Sequence, residues 1–197
     1  MRIVHYTLGI YPHRVGGLNR YASDLMMEQS KEHEIFVIIP RNSFWGRRCS
    51  LNSVGKIGGV TCYHLKNAMP LPLFYGISNP KKYINREIDK RSFEKFYNDT
   101  RPEILHLHSI MGLTEEVLTF FRDKGVKIVF STHDYFGICP KVNLINSNGI
   151  LCLGPNADRC EACNSGAPST LFVILRNSET LLKIRDIVRW IKSMLHF

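Results

Sequence analysis

The sequence predicts an α/β fold, a Rossmann-like parallel sheet flanked by helices. Two observations carry the prediction. Short apolar, β-branched runs (IVHY, EIFVII, ILHLH, KIVFS) alternate with segments of helical periodicity. The segments between them are long enough to cross over and return the chain parallel to itself.

Ile3, Val4 and Tyr6 form the first strand, and a polar loop then ends in Gly16-Gly17. A helix opens behind the glycines, with Leu18, Tyr21, Ala22, Leu25 and Met26 on one face. Glu34 to Ile39 is a continuous apolar run closed by Pro40, as in a parallel strand covered on both faces. Residues 41–59 are polar, Gly-rich and basic and read as a loop or an excursion, and Val60 to Leu65 as a short strand. Residues 67–80 combine three prolines with large apolar side chains, which predicts an ordered loop with apolar groups exposed at a binding surface. Lys81 to Asn98 reads as a charged helix with Tyr83, Ile84, Ile88, Phe93 and Phe96 inward, stopped by Arg101-Pro102. Ile104 to His108 is the next strand, and Leu113 to Lys124 a helix with Val117, Leu118, Phe120 and Phe121 inward, ended by Gly125. Lys127 to Ser131 is a further strand. Residues 1–168 are thus one domain with a Cys-rich loop at 139–163, and 169–197 a helical segment. In that segment Leu171, Ile174, Leu175, Leu181, Leu182, Val188, Ile191 and Leu195 lie on one side, with Arg176, Lys183, Arg185, Arg189 and Lys192 adding charge. Such a basic amphipathic helix packs on a sheet or lies on an anionic bilayer.

The 197 residues suffice for one well-cored domain, and 44% hydrophobic with 22% charged content is that of a soluble protein. Twenty-six basic against 17 acidic residues give +9, which favours an anionic partner. No run of about 18 apolar residues exists to span a membrane. Met1 leads directly into a strand without a signal-peptide pattern, so the expected compartment is the cytosol, with peripheral contact at the cytoplasmic face of a membrane as the alternative. No G-x-G-x-x-G follows the first strand, against a dinucleotide-dependent oxidoreductase. Aromatic residues are not interleaved with basic ones, against nucleic acid as a partner.

In an open α/β sheet, ligands bind beyond the carboxyl ends of the strands. Three polar segments fall there: the loop 7–17, His108-Ser109, and Thr132-His133-Asp134. A Gly-Gly pair at a helix start leaves backbone N–H groups uncovered, a site for phosphate or carboxylate, or else a tight turn. Gly16 and Gly17, with Asn19, Arg20, His108 and Ser109, are the candidate phosphate- and substrate-binding residues. His133 and Asp134 are the candidate catalytic pair, since an imidazole at a strand end exchanges hydrogen bonds with a hydroxyl near neutral pH. Asp134 meets a hydroxyl or holds its own loop, and His106 reads as a satisfied core histidine. Cys139, Cys152, Cys160 and Cys163 have the spacing C-x12-C-x7-C-x2-C. A structural zinc, reduced thiols and disulfides are all open to them, and Cys49 and Cys62 read as ordinary thiols.

RIVHYTLGIYPHRVGGLNRYASDL, PEILHLHS and STHDYFGICP with GILCLGPNADRCEAC together resemble the N-terminal half of a glycosyltransferase family 4 enzyme of GT-B fold, from Met1 to about Cys163. The resemblance implies retaining transfer of a sugar from a nucleotide-sugar donor to a glycan or lipid-linked acceptor, with no divalent ion needed for the transfer. It places Gly16 and Gly17 near the donor phosphates and His133 on the transferred sugar or the acceptor. It also implies a second, nucleotide-binding domain with a paired-glutamate motif (E-x7-E), which this sequence does not contain; a partner domain or subunit is expected to supply it. Alone, the chain is expected not to turn over. The alternative is a non-catalytic binding or regulatory module, or a truncated remnant of such an enzyme.

Overall fold

The computed structural model describes residues 1–42, 46–57, 59–83, 85–178, 180, 181, 184, 187 and 188. Its elements run β1 (Arg2–Tyr6), α1 (Gly17–Gln29), β2 (Glu34–Arg41), β3 (Ser50–Ile57), β4 (Val60–Lys66), α2 (Lys90–Thr100), β5 (Ile104–Leu107), α3 (Glu115–Asp123), β6 (Lys127–Phe130), α4 (Ala157–Asn164) and α5 (Thr170–Arg176). The six strands form one sheet in the order β3-β4-β2-β1-β5-β6. All neighbours are parallel except β3, which pairs antiparallel with β4 at one edge. With that edge strand set aside, the parallel strands follow the doubly wound order 3-2-1-4-5, and the direction of winding reverses between β1 and β5. The α/β expectation holds.

Strand alternation divides the core. Val4, Tyr6, Phe36, Ile38, Leu105 and Leu107 face α2 and α3, where Phe93, Phe96, Val117 and Phe121 close the layer. Ile3, Ile35, Val37 and Ile39 face the other way, against Ala22 and Met26 of α1. Phe93, Phe96 and Phe121 meet edge to face, as aromatic quadrupoles favour. Asp89 caps α2 and Thr114 caps α3, each side chain accepting from a first-turn N–H. Gly125 follows α3 at φ 73°, where only glycine is unstrained.

The structure corrects several expectations. Residues 50–57 form β3 rather than loop; only Leu51 of it is buried, so no apolar run marks the strand. The helix expected from Lys81 begins at Lys90. Pro80–Tyr83 is a short 3-10 turn, and the residues just before α2 pair with Cys49, whose N–H donates to Glu87 O while Asp89 N–H donates to Cys49 O. Within α1 the inward stripe is Asn19, Ala22 and Met26, and Tyr21 is 48% exposed. The segment 67–72 is buried, not displayed, and the exposed aromatics of the expected binding loop are Phe74 and Tyr75. Its carbonyls find donors: Asn42 Nδ2 reaches Ala68 O and Met69 O, Asn177 Nδ2 reaches Leu71 O, and Arg86 reaches Asn67 O. Such partners are what let a loop run through the interior. Helix α5 stops at Arg176, and Asn177 and Ser178 interrupt the long helix expected there. Thr170 and Val173 face inward, whereas Leu171 and Leu175 are exposed. The assignments at Ile84, Leu182, Lys183, Arg185, Arg189, Ile191, Lys192 and Leu195 lie outside the described residues. No helix among the described residues is long and apolar enough to cross a membrane.

Candidate functional site

The reversal of winding between β1 and β5 opens a crevice at their carboxyl ends, the place where doubly wound sheets hold ligands. A cavity of about 490 Å³ lies there, walled by Gly16, Gly17, Asn19, His133 and Asp134, with Arg14 and Phe74 at its sides. Leu8, Met111 and Val142 form an apolar floor together with Leu71. Gly112 sits below that floor at φ 87°, and a Cβ there would lie 2.7 Å from the Tyr6 hydroxyl. That hydroxyl donates to Met111 O at 2.6 Å, so the close approach fixes the end of β1 to the loop after β5.

The first wall is the start of α1. Gly16 is the N-cap, with φ 149° and ψ 151°, a conformation that needs glycine. It offers no side chain to the first-turn N–H groups, and no acidic residue stands in that turn. Those donors and the positive end of the helix dipole are left for an anion. Gly17 differs: a Cβ there would meet nothing within 4 Å, so its backbone is open to the crevice. Asn19 is buried, and its Oδ1 accepts from the Thr7 hydroxyl at 3.4 Å, tying α1 to the end of β1. Arg20 turns away into an ion pair with Asp24 and lies over the Tyr11 ring. It does not line the cavity.

Arg14 takes the place expected of Arg20. Its guanidinium donates to Leu8 O at 2.8 Å, and its stem folds over Gly9, where a Cβ would come within 2.6 Å. The sequence signal for it was available: Arg14 is the only arginine between β1 and the glycine pair.

The second wall comes from β5 and β6. Ser109 is buried, and its hydroxyl accepts from Met111 N–H, so it shapes the loop behind the cavity and does not line it. His108 is also buried behind the wall. Its Nε2 lies 2.9 Å from His5 Nδ1, and its Nδ1 lies 3.4 Å from His133 Nε2. His5 Nε2 in turn meets Gln29 Oε1 at 2.9 Å. Burial drives the His5 pKa down to about 4 and the His108 pKa to about 3, with repulsion among neighbouring rings adding to it. His106 bonds Ser131 Oγ at 2.8 Å, the satisfied histidine expected of it, and burial lowers its pKa too. His133 is exposed to the crevice, with the Tyr21 ring 4.8 Å away. Asp134 accepts from Phe136 N–H at 2.9 Å, so one carboxylate oxygen holds its own loop.

The cysteines behave differently from the histidines. Cys139, Cys152, Cys160 and Cys163 all line one cavity of about 320 Å³, and all six cysteines are free. Among the described residues, the His, Cys, Asp or Glu side chains gathered tightly enough for one ion are His5, His106 and His108, not these cysteines.

No protein-family model matches the chain, and no curated protein is found similar to it. Among solved structures, the catalytic domain of starch synthase IV from Arabidopsis thaliana, bound to ADP and acarbose, aligns with a TM-score of 0.38 at 15% identity. The alignment covers 89% of this chain and 43% of that one, so the chain spans less than half of that structure's length.

Proposed function

We propose that this chain is the acceptor-side half of a retaining glycosyltransferase of GT-B architecture, working with a nucleotide-binding half. The observation that carries the reading is the convergence of an uncapped helix start, Arg14 and His133 on one crevice at the winding reversal. The resemblance of the three sequence blocks to glycosyltransferase family 4 agrees with it. In this reading the α1 N–H groups and Arg14 face the diphosphate of a nucleotide sugar, where charge develops as the glycosyl bond breaks. His133 contacts a sugar hydroxyl, and Asp134 keeps its loop in place. Phe74, 70% exposed at the rim, suits the apolar side of a glycan or lipid-linked acceptor.

Calorimetric titration of the chain with a panel of nucleoside diphosphate sugars, free nucleoside diphosphates and nicotinamide dinucleotides tests the reading. Diphosphate sugars are expected to bind weakly and Gly17→Asp to abolish the binding. Preference for a nicotinamide dinucleotide, or binding indifferent to Gly17→Asp, would overturn it.

A further inference from the structure

Four imidazoles meet under the crevice, and three of them link Gln29 to the cavity in series: His5, His108 and His133. Neutral imidazole carries one N–H and one bare nitrogen, so each contact in such a series needs a donor facing an acceptor. Burial keeps His5 and His108 neutral at pH 7. Fixing one end therefore fixes every ring. The Gln29 carbonyl oxygen only accepts, so His5 Nε2 holds the proton and donates to it at 2.9 Å. His5 Nδ1 is then bare and accepts from His108 Nε2–H at 2.9 Å. His108 Nδ1 is bare in its turn and accepts from His133 Nε2–H at 3.4 Å. In the neutral form of His133 the nitrogen left to a ligand is Nδ1, without a proton.

The geometry points to Gln29, at the end of α1, as a positioning residue that sets the tautomer of His133 through His5 and His108. The crevice then presents a bare nitrogen that accepts from a hydroxyl and does not donate to an anion. The hydroxyl in this statement rests on the glycosyl-transfer reading; the tautomer does not. Tyr21 packs beside His108 and His133 with centroids at 5.9 and 4.8 Å, which holds the outer two rings. His106 stacks on His108 at 4.4 Å but bonds Ser131, outside the series. A metal ion is the competing occupant, since ligand atoms of His5, His106 and His108 lie within 4.8 Å of one another. Two nitrogens that share a proton do not both offer lone pairs to an ion, and the His5 and His108 rings lie 11° from parallel at hydrogen-bond distance.

Long-range proton–nitrogen NMR of the 15N-labelled full chain at pH 7, without ligand, reads each ring directly, with His133→Asn to assign the signal. Wild type is expected to show imine-type nitrogen at His133 Nδ1 and pyrrole-type at Nε2. Gln29→Met removes the anchor, and both His133 nitrogens are expected to move toward the tautomer average. Gln29→Glu keeps an acceptor and restores the wild-type pattern; both replacements are good helix formers. A proton on His133 Nδ1 in wild type, or an unchanged pattern in Gln29→Met, overturns the proposal. So does one equivalent of Zn²⁺ bound at His5 and His108. In a second arm a methyl pyranoside is expected to shift His133 Nδ1 and inorganic phosphate to leave it. The reverse result overturns the hydroxyl preference while leaving the tautomer standing, and failure of the nucleotide-sugar titration touches neither NMR readout of the free protein.

Discussion

Gly16 and Gly17 are adjacent, yet alanine at each is expected to act in opposite directions. At Gly16 the backbone has φ 149°, so a Cβ strains the turn although the space around it is free to 3.6 Å. Backbone strain of this kind costs about 1–3 kcal/mol. For a chain of this size about 2–4 °C of melting temperature is lost per kcal/mol, so Gly16→Ala is expected to melt roughly 2–12 °C lower. At Gly17 the backbone is helical and a Cβ meets nothing within 4 Å. Alanine exceeds glycine in helix propensity by up to about 1 kcal/mol, so Gly17→Ala is expected to melt unchanged or roughly 2–4 °C higher. Gly17 lines the cavity, so an added methyl group there is expected to hinder an anion and weaken diphosphate binding. Differential scanning calorimetry and titration on the two variants read both effects. Equal melting of both variants refutes the strain assigned to Gly16, and full-strength binding by Gly17→Ala refutes the assignment of the helix start as an anion site.

Removing Asn42 Nδ2 or Asn177 Nδ2 strips buried carbonyls of segment 67–72 of a donor; Asn42→Leu and Asn177→Leu are each expected to cost about 1–3 kcal/mol in urea unfolding. A loss under about 0.5 kcal/mol, the range of ordinary surface changes, refutes the role. Because the folded His5 pKa of about 4 lies below its unfolded value of 6.5, the unfolded chain binds the extra proton. The His5 share of stability is therefore expected to hold above pH 6.5 and to fall by about 3 kcal/mol as pH drops to 4, His108 adding a further fall, so that the total is shallower in His5→Gln. Equal slopes in the two proteins contradict that. His133→Ala, assayed with the nucleotide-binding half present, is expected to lower transfer by more than about tenfold without changing the melting temperature. Unchanged turnover removes His133 from the mechanism.

Elements with a continuous apolar run or a strong inward stripe were legible in the sequence. β2 is covered on both faces and α3 buries Val117 and Phe121, and both announce themselves. β3 was hidden because an exposed antiparallel edge strand needs only Leu51 inside. The late start of α2 was hidden because its cause is a pairing with Cys49, about 40 residues earlier in the chain. The burial of 67–72 depends on amide donors from Asn42 and Asn177, which no local pattern reveals. At the site, the strand-end rule located Gly16, Gly17, His133 and Asp134 on one cavity. It could not distinguish residues that line the cavity from those behind it, so His108 and Ser109 were assigned contacts that burial denies them. Arg14 and Arg20 flank the same glycines, and only folding decides which guanidinium faces inward.

The most direct test of the crevice is amide chemical-shift mapping of the 15N-labelled chain during titration with a nucleoside diphosphate sugar. Gly17, Leu18 and Asn19 are expected to move together with His133 and Asp134, saturating at one common concentration. Shifts confined to the Arg47, Arg48 and Arg86 groove or to the cysteine loop, with the α1 start unmoved, would contradict it.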